Sequence, residues 1–208
     1  MIKNTLYFLG SILIFFTGTL VYGVILNSSE RPLDEIMKEK GVKDYSKIII
    51  VVHKQKYRLE LYSDTTFIKS YRAVFGRNST IPKILKNKKT LPAGKYKVCE
   101  VDVASRYRKF FRLNYPRLSE LKDAVKENVI SLADYNNIYN YKKTDECYFN
   151  SSLDNVKIGI HGIGELDFIF RNLPFVYNWT NGSIAVSNNA IDEIYSVTNV
   201  GTEVVIKN

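Results

Sequence analysis

Histidine and cysteine are scarce in this chain, with two of each among 208 residues. Nothing near Cys99 or Cys147 is spaced like a metal site, so the protein is expected to fold without a metal and to need no other cofactor. In an exported domain the two cysteines could instead form a disulfide. Internal repeats and low-complexity tracts are absent, which excludes solenoid and linker-like classes. Acidic residues are outnumbered, 21 against 30 basic ones, for a formal net charge of +9. The basic residues are scattered, as in Lys83, Lys86, Lys88 and Lys89 and again in Arg106, Arg108, Lys109 and Arg112. No nucleic-acid motif accompanies them, so nucleic acid is not expected as a partner. They read as a solvated face or as attraction to anionic wall polymer or phospholipid headgroups.

Asp, Glu, Lys, Arg and His are missing altogether from Thr5 to Leu26. As a helix these 22 residues would span about 33 Å, enough to cross a hydrocarbon layer. A cleaved signal peptide is the competing reading. Its apolar region is usually shorter, and Val21-Tyr22-Gly23 and Leu26-Asn27-Ser28 match a small-x-small cleavage site poorly. Residues 1–27 are therefore expected to be an uncleaved anchor. Lys3 precedes the span, which favours a cytoplasmic N-terminus. The chain would then be a single-pass protein of the cytoplasmic membrane, with everything after Leu26 in the periplasm or wall zone.

Residues 28–46 read as a juxtamembrane stalk or cap. Pro32 opens a short helix with Leu33, Ile36 and Met37 on one face, and Gly41 stops it. Residues 47–208 read as one domain of ordinary size. Lys47 to Tyr62 gives two strands, a buried run (Ile48 to Val52) and an alternating one (Tyr57, Leu59, Leu61). A third strand runs from Phe67 to Phe75, and a fourth follows the Pro92-Ala93-Gly94 turn, from Lys95 to Val103. Leu118, Leu121, Val125, Val129 and Leu132 predict a single amphipathic helix over Arg117–Tyr135, and Asn136–Ser152 reads as a loop. A short strand, Val156–Ile160, leads to His161. Near the end come a helix capped by Asn188 or Asn189, with Asp192 and Glu193 in its first turn, and a last strand at Glu203–Ile206. The sum is a mainly β fold with one or two helices, a mixed-sheet sandwich or barrel-like domain.

Chemistry has few candidate carriers. His53 lies between Val52 and Lys54 and reads as an ordinary strand residue. His161 ends a strand and is followed by glycine, a place from which a side chain reaches a cleft. The second feature is Trp179-Thr180-Asn181-Gly182-Ser183-Ile184-Ala185-Val186-Ser187-Asn188. Gly182 permits close backbone approach. Taken alone, Asn-Gly-Ser is also a common turn into a strand.

Taken together and in order, these segments resemble the L,D-transpeptidase (YkuD-type) catalytic domain. Ile160-His161-Gly162, Trp179-Thr180-Asn181-Gly182, Ile184-Ala185-Val186-Ser187-Asn188 and Gly201-Thr202-Glu203-Val204-Val205-Ile206 are similar to the subgroup with Trp-Thr-x-Gly-Cys-Ile-Ala. Lys56 to Gly76 resembles the opening hairpin of the family. Thr90 to Tyr96 resembles its Thr-Pro-x-Gly-x-Tyr segment, and Phe110 to Pro116, ending Asn114-Tyr115-Pro116, resembles its Tyr-Pro segment. One position departs from the pattern: Ser183 stands where the family has its nucleophilic cysteine.

The resemblance implies an acyltransferase acting on peptidoglycan stem peptides. The nucleophile attacks the carbonyl of the third stem residue and terminal D-alanine leaves. An amine on a second stem or an envelope protein, or water, then takes the acyl group. His161 would be the base, with the Gly162 carbonyl orienting its ring. The Ser183 N–H and its neighbours would form the oxyanion hole, and Gly182, Asn181, Trp179 and Tyr115 would contribute to oxyanion and substrate binding. Serine is a far weaker acid than cysteine, so transfer is expected to be impaired. A non-catalytic peptidoglycan-binding or scaffolding protein is the alternative; a hydrolase of another type using Ser183 and His161 is the third reading.

Overall fold

The computed structural model describes residues 2–28, 30–76, 91, 93–116, 118–128, 130–142, 158–172, 178–180 and 182–208. The basic loop after Gly76, the Thr90 end of its neighbouring motif, Asn181 and Cys147 therefore lie outside the described residues. The apolar N-terminal stretch forms one helix, α1 (Ile2–Ser28), which is long and apolar enough to cross a membrane. A second helix, α2 (Leu33–Glu39), starts after Pro32 and stops before Gly41, whose φ of +67° suits glycine.

The described residues form eight strands: β1 (Ile48–His53), β2 (Arg58–Ser63), β3 (Thr66–Val74), β4 (Gly94–Asp102), β5 (Phe110–Leu113), β6 (Gly159–Gly162), β7 (Ile184–Val186) and β8 (Glu203–Lys207). They close into a barrel in the order β1-β2-β3-β7-β6-β5-β4-β8. Of sandwich and barrel, the chain adopts the barrel. The sheet is mixed: β1 pairs β8 in parallel, with Ile49 opposite Glu203, and β6 pairs β7 in parallel, while the other pairs are antiparallel. Inward-facing Ile50, Val52, Leu59, Leu61, Tyr96, Phe111, Ile160, Ile184 and Val204 are essentially inaccessible to water and fill the interior. Burying each aliphatic side chain of this kind stabilises the fold by roughly 1.5–3 kcal/mol.

The helices correct the sequence reading in three places. The single helix expected over Arg117–Tyr135 is two, α3 (Leu118–Lys126) and α4 (Leu132–Lys142). Asn128 has φ +53° between them, a left-handed turn that a continuous helix cannot contain. The loop expected from Asn136 is accordingly helical as far as Lys142. Two further helices are α5 (Asp167–Asn172) and α6 (Asn188–Val197). The cap of α6 is Ser187, neither Asn188 nor Asn189: its hydroxyl accepts the Ala190 N–H at 3.2 Å. This earlier start moves Asp192 and Glu193 out of the first turn.

Freed from that role, Glu193 ties α2 to the barrel. Its carboxylate accepts the Leu33 N–H at 3.1 Å, the Lys69 ammonium at 2.7 Å and the Tyr71 hydroxyl at 2.8 Å. Leu33 and Met37 are buried beneath. Burial, together with the Glu193 charge, raises the Tyr71 phenol above its ordinary range and keeps it a donor. The segment that follows α1 is thus packed on the barrel through α2. Cys99, on β4, is disulfide-bonded.

Candidate active site

The site grows from the parallel pairing of β6 and β7, in which Ile160 faces Ile184, His161 faces Ala185 and Gly162 faces Val186. One step earlier in this register, Ser183 stands beside Gly159. Its hydroxyl accepts the Gly159 N–H at 3.2 Å. Gly159 and His161 are two residues apart on one strand and face the same side. Ser183 and His161 are therefore diagonal neighbours across the β6–β7 pairing. Among the described residues the Ser183 hydroxyl makes no hydrogen bond to the imidazole; its partner is Gly159.

The turn before Ser183 is held in place by backbone contacts. Gly182 has φ +96°, which favours glycine. Gly76 bridges to Thr180, and a side chain there would lie 2.4 Å from the Gly182 nitrogen. The buried Thr180 hydroxyl donates to the Ser183 carbonyl. Residue 183 is fixed at a backbone corner rather than carried on a free loop.

His161 is buried, at 3% exposure. Its Nδ1 lies 2.7 Å from the Gly162 carbonyl. A carbonyl can only accept, so Nδ1 carries the proton and Nε2 keeps its lone pair. Three rings enclose the imidazole. Tyr107 lies 4.5 Å away between centroids, Phe110 stacks at 5.8 Å and Trp179 meets it edge-on at 6.0 Å. Burial pushes the histidine down to about 4; the Gly162 carbonyl opposes this and nearby Arg106 adds to it. At neutral pH the ring is an uncharged base.

The enclosure is braced from outside. Gly162 N–H donates to the Lys109 carbonyl at 3.2 Å. Arg108 and Lys109 both pair with Asp192 on α6, which holds the loop that carries Tyr107. After His161 the chain is fastened to the start of α6. Asn188 Oδ1 accepts the Gly164 N–H and its Nδ2 donates to the Gly164 carbonyl, both at 2.9 Å, while Asp167 Oδ1 accepts the Asn188 N–H at 2.7 Å.

The structure thus brings together His161, Gly162, Trp179, Gly182 and Ser183. Tyr115 stands apart from the rings around His161. It lies beyond the end of β5 remote from Phe110, with its ring 6.4 Å from that of Tyr96. Tyr107 and Gly159 are site residues that no motif marks; Phe110, Thr180 and Asn188 lie inside the motifs but had no site role assigned. His53 is a strand residue whose Nε2 lies 3.1 Å from Glu60.

A pH dependence follows from His161. In the unfolded chain the ring takes up a proton below about 6.5, whereas the native ring resists until about 4. Between these values the unfolded state binds more protons, so stability declines as pH falls from 7 to 4. The contribution lost is on the order of 3 kcal/mol. Urea unfolding of the wild type and H161Q across this range should show the excess acid sensitivity in the wild type alone. Parallel pH profiles would contradict a buried neutral imidazole.

Among solved structures, the chain is similar to an L,D-transpeptidase from Mycobacterium smegmatis, with 10% identity and a TM-score of 0.44, covering 78% of this chain and 59% of that one. It is similar to Bd1075 of Bdellovibrio bacteriovorus, with 17% identity and a TM-score of 0.46, covering 77% of this chain and 48% of that one. An L,D-transpeptidase from Xylanimonas cellulosilytica gives 16% identity and a TM-score of 0.43, over 85% and 70% of the two chains. The chain thus spans about three fifths of the first of these proteins and about half of the second. No curated protein matches it. The family model of the YkuD L,D-transpeptidase catalytic domain matches residues 47–206, most of the chain. On that match, the chain belongs to the YkuD family of L,D-transpeptidase catalytic domains.

Proposed function

We propose that this protein is a membrane-anchored, peptidoglycan-directed member of its family whose acyl transfer is impaired by serine at position 183. The observation that carries this reading is the position of Ser183, directly after Gly182 and diagonal to His161, with its hydroxyl engaged by the Gly159 N–H. That N–H donates to the oxygen, and nothing in the contact draws the hydroxyl proton toward Nε2. A thiol at the same position would ionise far more readily.

In the proposed reaction the residue 183 side chain attacks the carbonyl carbon of the third stem residue while its proton passes to Nε2 of His161. The oxyanion is held by the N–H of residue 183 and its neighbours. The C–N bond to terminal D-alanine then breaks, and the amine leaves with the proton from His161. An amine of a second stem or of an envelope protein, or water, releases the acyl group by the reverse sequence. A buried neutral imidazole with a fixed tautomer suits the base; a hydroxyl turned to Gly159 does not suit the nucleophile. Trp179 and Gly182 would line the substrate cleft.

Residues 1–27 are proposed as the anchor, 28–46 as the cap and 47–208 as the domain outside the cytoplasm. The disulfide at Cys99 supports an oxidising location for the domain. Full-length protein in detergent, incubated with tetrapeptide muropeptides and followed by mass spectrometry and by binding, tests the whole. Binding with little release of D-alanine is expected. Rapid turnover by the Ser183 form would overturn the impairment, and absence of binding would overturn the peptidoglycan reading.

A further inference from the structure

Among the described residues outside the anchor, exposed apolar side chains concentrate on and just before α5. Leu166 is 66% exposed, Phe168 58% and Ile169 51%. They lie on the turn Gly164–Leu166 and on α5. The opposite side of α5 is already satisfied: Phe170 packs toward Val74, Ile163 and Ala185, with the Arg72 guanidinium 4.3 Å over its ring. A short helix that is apolar on both sides has one face too many for a barrel alone. Clustered exposed apolar side chains of this size mark a contact surface.

What that surface meets is indicated by the far end of α5, which is clasped to α1. Gly23 allows the contact: a Cβ there would lie 2.1 Å from the Asn172 carbonyl oxygen. Asn27 Nδ2 donates to the Arg171 carbonyl and to Asn172 Oδ1, both at 2.9 Å. Asn172 itself is 2% exposed. Gly23 precedes Leu26, the last residue of the uncharged run, by three positions, or about 4.5 Å along the helix. The clasp therefore sits at the level where the run ends. Leu166 is six positions from Asn172, within about 9 Å of it at helical rise.

We propose that Leu166, Phe168 and Ile169 insert into the headgroup–acyl boundary of the bilayer that α1 spans, so that the barrel lies against the membrane rather than hanging from a stalk. This inference rests on the anchor reading above. Exposed Glu165 and half-buried Asp167 flank the patch, so the attraction is apolar and does not need anionic lipid. Leu166 is five positions after His161, which keeps their Cα atoms within about 18 Å. The residues around His161 would then meet stem peptides close to the membrane surface.

The experiment uses the full chain in phosphatidylcholine liposomes, with lipids brominated on the acyl chain as quenchers. Tryptophan is introduced as F168W or, as a control, V200W, each with W179F. Val200 is exposed in the turn beside Val98, at the end of β4 and β5 remote from Phe110 and His161. The expected result is quenching of F168W about twofold or more above V200W, as for a residue seated in the boundary. Equal, weak quenching in a chain that resists carbonate extraction would overturn membrane docking while leaving the anchor intact. Shielding of F168W from aqueous iodide in a dimer, without lipid quenching, would assign the face to a second copy and also overturn it. Release of the chain by carbonate would instead refute the anchor, and the inference with it.

Discussion

Full-length S183C is expected to be acylated by carbapenems and by tetrapeptide stems at least about 10²-fold faster than the wild type, because a thiol near the cysteine range ionises where a serine hydroxyl does not. S183C/H161A should lose most of the gain, by a factor of about 10²–10⁴, the usual contribution of a positioned general base. Intact-mass detection of the covalent adduct reads both. The acid side of the pH–rate profile carries a further signature. His161 must be unprotonated to accept the proton, and burial holds it down to about 4. The rate in S183C should therefore persist well below pH 6.5 and fall only as pH approaches 4. An acid limb at 6.5 would mean that the imidazole is more open to water than the three rings around it allow. Equal acylation of S183C and S183C/H161A would separate the two residues functionally and end the proposed pairing.

G159A should be the most damaging single methyl group in the domain. A Cβ on Gly159 would stand 2.0 Å from the Phe111 carbonyl oxygen and 2.9 Å from the Phe110 ring. Neither obstacle can rotate away cheaply, since the first is backbone of the paired strand and the second stacks on His161. β5 and β6 would have to part, disturbing the Phe110–His161 and Phe111–Ile160 register. The cost is expected to be about 3 kcal/mol or more. For a domain of this size that corresponds to a fall of roughly 6–12 °C in Tm. Thermal unfolding in detergent measures it, with S183C as a reference that leaves the backbone untouched. An unchanged Tm would show that β5 and β6 are not packed as closely as described.

Strands β1 to β4, β6 and β8 were legible in the sequence, and β5 was missed. β1 to β4 announce themselves by apolar residues at every second position or by an unbroken apolar run. β5 reads Phe-Phe-Arg-Leu and is buried on both sides, so no alternation survives. Its Arg112 is nearly inaccessible and pairs with Glu100 at 3.3 Å, a pairing that exists only once β4 and β5 are side by side. The division of α3 from α4 did leave a local signal. Ser131 and Asp134 form a reciprocal cap, with the Asp134 N–H donating to the Ser131 hydroxyl at 3.0 Å and the Ser131 N–H to the Asp134 carboxylate at 3.3 Å. The apolar spacing running on through Val125 and Leu132 outweighed it. In the site, His161 and Ser183 stood out because each follows or precedes glycine at a strand end. The aromatic enclosure did not, because Tyr107 and Phe110 reach His161 only through pairing with a strand far away in sequence.

The position of β8 has a consequence for how this protein is made. It lies between β1 and β4, joining the first strand of the barrel to the last segment of the chain. Polypeptides emerge N-terminus first, at roughly 5–20 residues per second. β1 is therefore in place on the order of ten seconds before its parallel partner exists. During that interval the β1–β2–β3 meander can form, but its outer edge stays open and the barrel cannot close. On the proposed anchor reading, the domain crosses the membrane before its barrel is closed. Completion then waits on Glu203–Lys207, so loss of this short tail opens the whole barrel rather than trimming one strand.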